Sequence, residues 1–255
     1  MKKTFYQKAA LAVARLVFPR AKVKNETQTE DEPAVYLCNH SGAIGPALMT
    51  LYFEKPHKTW LINYVLNKEK NANFIFHDFF FCRSKKHKKP WRLLSRLVAF
   101  LLRPLLYLSD PIPVYHDKNM LTTFKESVDA LQGGQSLVIF PECPEKHSEF
   151  VNDLYAGFAD LGRTYYALTK KRLKFYPVYA EKANRAICIG APIAFDPALP
   201  AHEQRIVIKD FVRDNIDRLA RTLPEHKPVP FLPEVWYEYY GEYRDNMLEY
   251  WKLFE

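Results

Sequence analysis

The chain has 255 residues, 48% of them hydrophobic and 26% charged, which excludes a disordered or low-complexity polypeptide and suffices for one sizeable core. Its 37 basic and 29 acidic residues leave a net charge of +8, a balance that suits a polyanion: nucleic acid, a phosphorylated substrate or an anionic membrane surface. Cys38, Cys82, Cys143 and Cys188 show no CxxC or regular spacing and the eight histidines no HExxH pattern, so neither a disulfide framework nor a metal site is expected, and a reducing compartment is.

Residues 4–18 read as a helix. Lys8, Ala12 and Arg15 fall on a narrow stripe, Leu11, Val13, Leu16, Val17 and Phe18 cover much of the rest, and Pro19 ends the pattern. Such a helix either lies in a membrane interface or packs on the core. Lys2-Lys3 followed by an apolar run imitates a signal peptide, but Arg15 interrupts it and no cleavage site follows. No stretch approaches the roughly 18–20 apolar residues of a spanning helix. Residues 1–30 are therefore assigned to an N-terminal amphipathic, membrane-associating helix and linker, 31–222 to an α/β domain, and 223–255 to an aromatic-acidic C-terminal tail.

Ala34–Leu37 is a short apolar run that reads as a buried strand. Cys38-Asn39-His40-Ser41-Gly42-Ala43-Ile44-Gly45-Pro46 follows, and Pro46 sits where a helix can begin. This places His40 on a tight turn between a strand end and a helix start. Free N–H groups and a partial positive charge are expected at that helix start, a setting suited to a neutral imidazole that takes a proton while negative charge develops nearby. The plainer alternative is a polar turn with an incidental histidine.

Residues 58–66 read as a second strand. Phe74–Cys82 is dominated by aromatics and Arg83–Arg92 by basic residues. Residues 91–106 then read as a helix with a thin polar stripe, Arg92, Ser95, Arg96, Ala99 and Arg103, and leucine or valine over most of the remaining circumference, until Pro104 kinks or ends it. An aromatic-basic platform on an anionic bilayer ranks first for this region and a core helix second. Nucleic-acid binding ranks third, since its surfaces rarely carry so apolar a helix, and it is not expected here.

Ile112–Tyr115 reads as a strand. Asn119 is placed to cap a helix bearing Leu121, Phe124, Val128 and Leu131 on one face and ending at Gly133-Gly134. Residues 136–140 form a buried strand running into Pro141-Glu142-Cys143-Pro144-Glu145-Lys146-His147. A long helix with Leu154, Phe158, Leu161, Tyr165 and Leu168 on one face is expected next. Strands at 173–179 and 185–189, a turn or short edge strand at 190–193, and a helix through Ile208–Leu219 complete the domain. From Pro224 onward, prolines and then Trp236, Tyr237, Tyr239, Tyr240, Tyr243 and Tyr250 mark a tail that docks on the domain or on a partner. The alternation implies an α/β fold with a mixed, partly parallel sheet flanked by helices. Ligands in such sheets gather at the carboxyl ends of strands, and His40, His116 and Glu142 all fall just past expected strand ends.

Four blocks in this order resemble the glycerolipid acyltransferase superfamily, the 1-acylglycerol-3-phosphate acyltransferase-like proteins. Asn39-His40 resembles the first block, N-H-x4-D. Ile112-Pro113-Val114-Tyr115-His116 resembles the second, Phe140-Pro141-Glu142 the third (F-P-E-G-T-R), and Tyr176-Pro177-Val178-Tyr179 the proline-bearing fourth, with Ile189-Gly190-Ala191-Pro192-Ile193 after it. The resemblance covers roughly residues 5–220 and implies a glycerol-phosphate-acyltransferase-like fold. It also implies a peripheral enzyme on the cytoplasmic face of an anionic membrane. His40 would be the general base that takes the proton of a lysophospholipid-like acceptor as its oxygen attacks an acyl thioester. Acyl-CoA or acyl carrier protein would be co-substrate, and no tightly held cofactor is implied. Asn39, Ser41, His116, Glu142, Cys143 and Lys146 are the implied acceptor- or phosphate-contacting positions.

The chain departs from the pattern where the chemistry is concentrated. The aspartate position is Gly45, the second-block arginine is His116, the third-block glycine is Cys143, and its arginine is Glu145. Three outcomes stay open: another acid such as Asp153 or Glu145 approaches His40, His40 works alone, or the protein binds lipid without chemistry. Cys143 either faces His40 as a thiol able to take an acyl group or packs as a small residue in place of glycine. Glu142 either shapes its loop through backbone N–H groups or touches the acceptor. His116 and Lys146 offer positive charge to a phosphate.

Overall fold

The apolar runs become strands because both faces of the sheet are covered, so every residue along them has something to pack against. The computed structural model describes residues 5–27, 31–77, 88–115, 119–145, 149–232, 234–243 and 246–252. In chain order the elements are α1 (Phe5–Val17), β1 (Lys22–Asn25), β2 (Val35–Cys38), α2 (Ile44–Tyr52), β3 (His57–Ile62), α3 (Asn63–Leu66), α4 (Lys68–Ile75) and α5 (Lys88–Leu106). They continue as β4 (Ile112–Val114), α6 (Met120–Gln132), β5 (Ser136–Ile139), α7 (Asp160–Thr169), β6 (Lys174–Glu181), β7 (Ala186–Ile189), β8 (Ile193–Ala194), α8 (Ala201–Arg221), α9 (Glu234–Tyr240) and α10 (Met247–Lys252).

The strands form one sheet in the order β1-β7-β6-β2-β5-β3-β4, with β8 pairing to β6. β2 runs parallel to both β5 and β6, and β3 runs parallel to both β5 and β4. Among the described residues, only β7 and β8 run antiparallel to β6. The fold is α/β, with a mixed, mostly parallel sheet flanked by helices and a helix at the N-terminal end. Strand alternation divides the core in two. Val35, Leu37, Leu137, Ile139, Phe175 and Tyr179 face the layer of α6, α7 and α8. Tyr36, Cys38, Val138, Tyr176, Val178 and Ile187 face Leu48, Met49 and Phe53 on and just after α2.

Several elements depart from the sequence reading. Residues 22–25, read as linker, form the edge strand β1, paired parallel to β7. β3 stops at Ile62, and residues 63–66 turn into α3. The long helix expected through Leu154 begins only with a 3₁₀ turn at Ala156–Ala159, because Leu154 is held in a bridge to Glu142. Leu121 and Leu168, read as sharing a helix face with residues that are buried, are exposed. Asn119 makes no side-chain cap; its carbonyl instead accepts from the Thr122 N–H at 2.8 Å.

The region around α5 has its amphipathy turned outward. Ser95 and Ala99, from the polar stripe, face the protein, and Ser95 Oγ donates to the Arg92 carbonyl of its own helix. Leu93 and Phe100 are each 70% exposed, and Leu94, Leu97, Leu101 and Leu102 are exposed beside them. α1 packs against α5 and exposes Phe5, Tyr6, Val13, Leu16 and Val17. Lys8, Arg15, Arg92 and Arg96 are exposed among these side chains. Among the described residues, no helix is long and apolar enough to cross a membrane.

Candidate functional site

Parallel strands leave their carboxyl ends on one edge, and that edge carries the site. Leu37 of β2 pairs with Ile139 of β5, so the chain leaves both strands at the same level, into Asn39-His40 on one side and Phe140-Pro141-Glu142 on the other. Glu142 reaches across: its Oε1 accepts the main-chain N–H of His40 at 3.1 Å. The first and third blocks are thereby tied together.

Asn39 is fully buried and fastens the turn to β6. Its Oδ1 accepts from the Ala180 N–H at 2.7 Å, while its Nδ2 donates to the Ala180 carbonyl at 3.2 Å and to Ser41 Oγ at 2.7 Å. The amide thus extends the β2–β6 ladder by one side chain. Beyond it the chain reverses through positive φ at Ser41 (44°) and Gly42 (61°). The second of these favours a residue without a β-carbon.

This reversal carries the Gly42 carbonyl back to His40, where it hydrogen-bonds Nδ1 of the imidazole. A carbonyl only accepts, so the proton sits on Nδ1 and the lone pair on Nε2. Burial pushes the imidazole down to about 4, so it is neutral at pH 7. Phe140 meets the ring edge-on at 5.6 Å between centroids, and Phe231, from the C-terminal tail, lies tilted against it at 4.3 Å. The residue still keeps part of its surface open to solvent.

The aspartate position is closed by main chain. A β-carbon on Gly45 would stand 2.1 Å from the Asn39 carbonyl oxygen and 3.1 Å from that of His40. The first turn of α2 is pressed onto the end of β2, and the Gly45 N–H donates to the His40 carbonyl at 3.1 Å. The expected free N–H groups are taken by the same packing: that of Ile44 donates to the Ser41 carbonyl, and Pro46 has none. The helix start therefore supplies no donor from these positions to a developing oxyanion.

Asp153 is engaged by cations of α8, and Glu142 by the main chain. Asp153 holds Lys209 at 3.0 and 3.2 Å and lies 3.6 Å from Arg213, which keeps its carboxylate below the ordinary range despite partial burial. Glu142, buried, is pushed up to about 8. Its Oε1 accepts the main-chain N–H of His40. Burial also pushes the Cys143 thiol up to about 12, so it is protonated at neutral pH and is no ready nucleophile. Its N–H and carbonyl bond Asp153 and Asn152, which fixes the loop. Asn39, His40, Ser41, Glu142 and Cys143 are thus gathered at one edge, with the polar side-chain atoms of Asn39 and Ser41 bonded to each other. His116 and Lys146 lie outside the described residues. Among the described residues, no group of three His, Cys, Asp or Glu side chains is placed to hold a metal.

Two features of the site were missed in the sequence: the Gly42 carbonyl as partner of the ring, and Phe231. A positive-φ pair right after a histidine is the signal for the first. The second carries no local signal, because Phe231 lies beyond the domain in the chain.

No protein-family model matches the chain, and no curated protein matches it by sequence. Among solved structures it is similar to the 1-acyl-sn-glycerophosphate (LPA) acyltransferase PlsC from Thermotoga maritima, at 12% identity and a TM-score of 0.46, over 86% of this chain and 81% of that one. A likeness at this level assigns no residue roles.

Proposed function

We propose that the chain is a membrane-surface acyltransferase that moves an acyl group from an acyl thioester to a hydroxyl of a lysophospholipid-like acceptor, with His40 as general base. The observation that carries the reading is the state of His40: neutral, its Nδ1 proton held by the Gly42 carbonyl, its Nε2 lone pair free to take a proton at the carboxyl edge of the sheet. In the proposed step, Nε2 removes the hydroxyl proton as the acceptor oxygen bonds the thioester carbon. The C–S bond then breaks, and the thiolate leaves with the proton from the imidazolium. An imidazole held near 4 is fully available at pH 7 but gives proton transfer little driving force, so a modest rate is expected. The four ordered blocks supply the reaction class, and coenzyme A or acyl carrier protein would carry the donor.

The outward apolar face of α1 and α5, with Lys8, Arg15, Arg92 and Arg96 beside it, supports docking on an anionic bilayer. The basic balance and the unpaired Cys38, Cys143 and Cys188 support a peripheral position on the cytoplasmic face. A second reading, a lipid-binding relative without catalysis that acts through a partner, is favoured by one observation: position 45 has no room for a carboxylate.

The test is transfer of a radiolabelled acyl group from acyl-CoA to a lysophospholipid on anionic vesicles by the full chain and by His40→Ala. At least about a 10²-fold loss in the variant is expected. Equal counts from both would end the enzyme reading. Vesicle binding without transfer by either would establish the second reading.

A further inference from the structure

The aromatic tail has no part in the proposed chemistry, yet it reaches the base. After α8 the chain is exposed through Lys227–Val229 and then descends onto the turn. The Pro230 carbonyl oxygen lies 3.8 Å from where a β-carbon on Gly42 would stand, so it closes over the residue whose carbonyl holds the imidazole. The Phe231 ring follows at 4.3 Å from that of His40, inclined at 42°. Farther on, the Tyr237 hydroxyl donates to the Glu145 carbonyl, which binds the tail to the loop after β5. Trp236 and Tyr250 are buried against each other, and their cluster takes in Tyr64 of α3 and Phe74 of α4. The tail thus spans both loops of the site and is pinned on the far side.

We propose that Phe231 is a positioning residue of the site: its ring holds the imidazole of His40 in place and keeps water off one face, so that the C-terminal tail completes the surroundings of the base. The proposal rests on reading His40 as that base. Phe140 alone offers the imidazole one edge-on contact, whereas Phe231 covers it at closer range. An apolar ring in place of water disfavours the imidazolium, in line with burial being the main cause of the lowered proton affinity of His40. Among the described residues, the titratable groups facing this region are Glu142, which bonds the His40 N–H, Cys143 and Glu145 beside Glu142, and Cys38 beneath Asn39. Neither α2 near the turn nor the stretch Pro228–Leu232 adds a charged side chain.

The experiment is an NMR titration of the His40 ring in the full-length protein and in Phe231→Ala, Phe231→Gln and Phe231→Leu. The wild-type midpoint is expected near 4. The alanine and glutamine variants should move it up by at least about one unit towards the ordinary value, because water or a polar group then reaches the ring. The leucine variant, which restores apolar bulk, should leave it within about half a unit of wild type. An unmoved midpoint in alanine and glutamine variants that keep the near-ultraviolet circular dichroism of wild type would overturn the proposal. If the alanine variant does not fold, the glutamine variant, which keeps the reach of the side chain, decides. The titration needs no turnover, so its failure is separable from failure of acyl transfer.

Discussion

Around His40 the chain takes polar groups away from water and gives them partners of its own; along α1 and α5 it leaves apolar side chains in water, while Ser95 and Ala99 of the α5 polar stripe are buried. Asn39 has both ends of its amide bonded, the His40 N–H is bonded, and the imidazole donates its one ring N–H to a carbonyl. On α5, by contrast, Ser95 is buried while Leu97 is 53% exposed. Buried polar groups and exposed apolar surface are the two informative departures from the ordinary inside-out rule. The first marks a rigid, pre-arranged site. The second is an exposed apolar surface, which under the proposed function docks on a bilayer.

The sharpest break of this contrast comes from Gly45. Restoring the aspartate of the sequence pattern puts a β-carbon into the Asn39 carbonyl, so Gly45→Asp should cost about 4 kcal/mol or more of stability and recover no activity. Urea unfolding measures it. A stable variant with enhanced transfer would show that the first turn of α2 is not pressed against β2.

On the outer face the expected effect is next in size and leaves the site alone. Burying a leucine side chain contributes about 1.5–3 kcal/mol, so Leu97→Asp with Leu101→Asp should weaken binding to anionic vesicles by at least about 10²-fold with the unfolding curve barely changed. Sedimentation with vesicles of graded anionic content reads it. Undiminished binding would move the contact to another surface.

The smallest effect is a pH dependence with two opposed limbs. His40 takes up its proton near 6.5 when unfolded and near 4 when folded, so it adds stability as pH rises through that window. Glu142 has the reverse sign. It holds its proton up to about 8 when folded and to 4.5 when unfolded, so its contribution is complete below 4.5 and is lost as pH rises through 8. The two slopes cancel between about 4.5 and 6.5, where the sum of their contributions is flat, and decline beyond it is due to Glu142. Glu142→Gln should remove the decline between pH 6.5 and 8, read from denaturant midpoints across pH. A decline that persists in the variant would assign it to other groups.

Much of the fold was legible in the sequence, for a physical reason. β2, β5, β6 and β7 are buried on both faces, so each shows as an unbroken apolar run bounded by turn residues. β1 was not legible because Lys22-Val23-Lys24-Asn25 is exposed at every position and carries no apolar pattern. Leu121 and Leu168 follow helical spacing without being buried, since spacing fixes a face but not what covers it. At the site, the sequence showed that Gly45 lacks a carboxylate. It did not show that the main chain fills the space, or that a carbonyl three positions earlier takes over the ring. Phe231 was illegible because nothing local ties a proline-flanked phenylalanine to a histidine so far back in the chain.

In the proposed step a peptide carbonyl stands in for the carboxylate that would orient His40. The most direct measurement is the ring-nitrogen chemical shifts of His40 in nitrogen-15-labelled protein at pH 7. The expected result is a neutral imidazole with a protonated Nδ1 and a bare Nε2. A proton on Nε2 with Nδ1 bare, or a doubly protonated ring, would contradict it and remove His40 as the base.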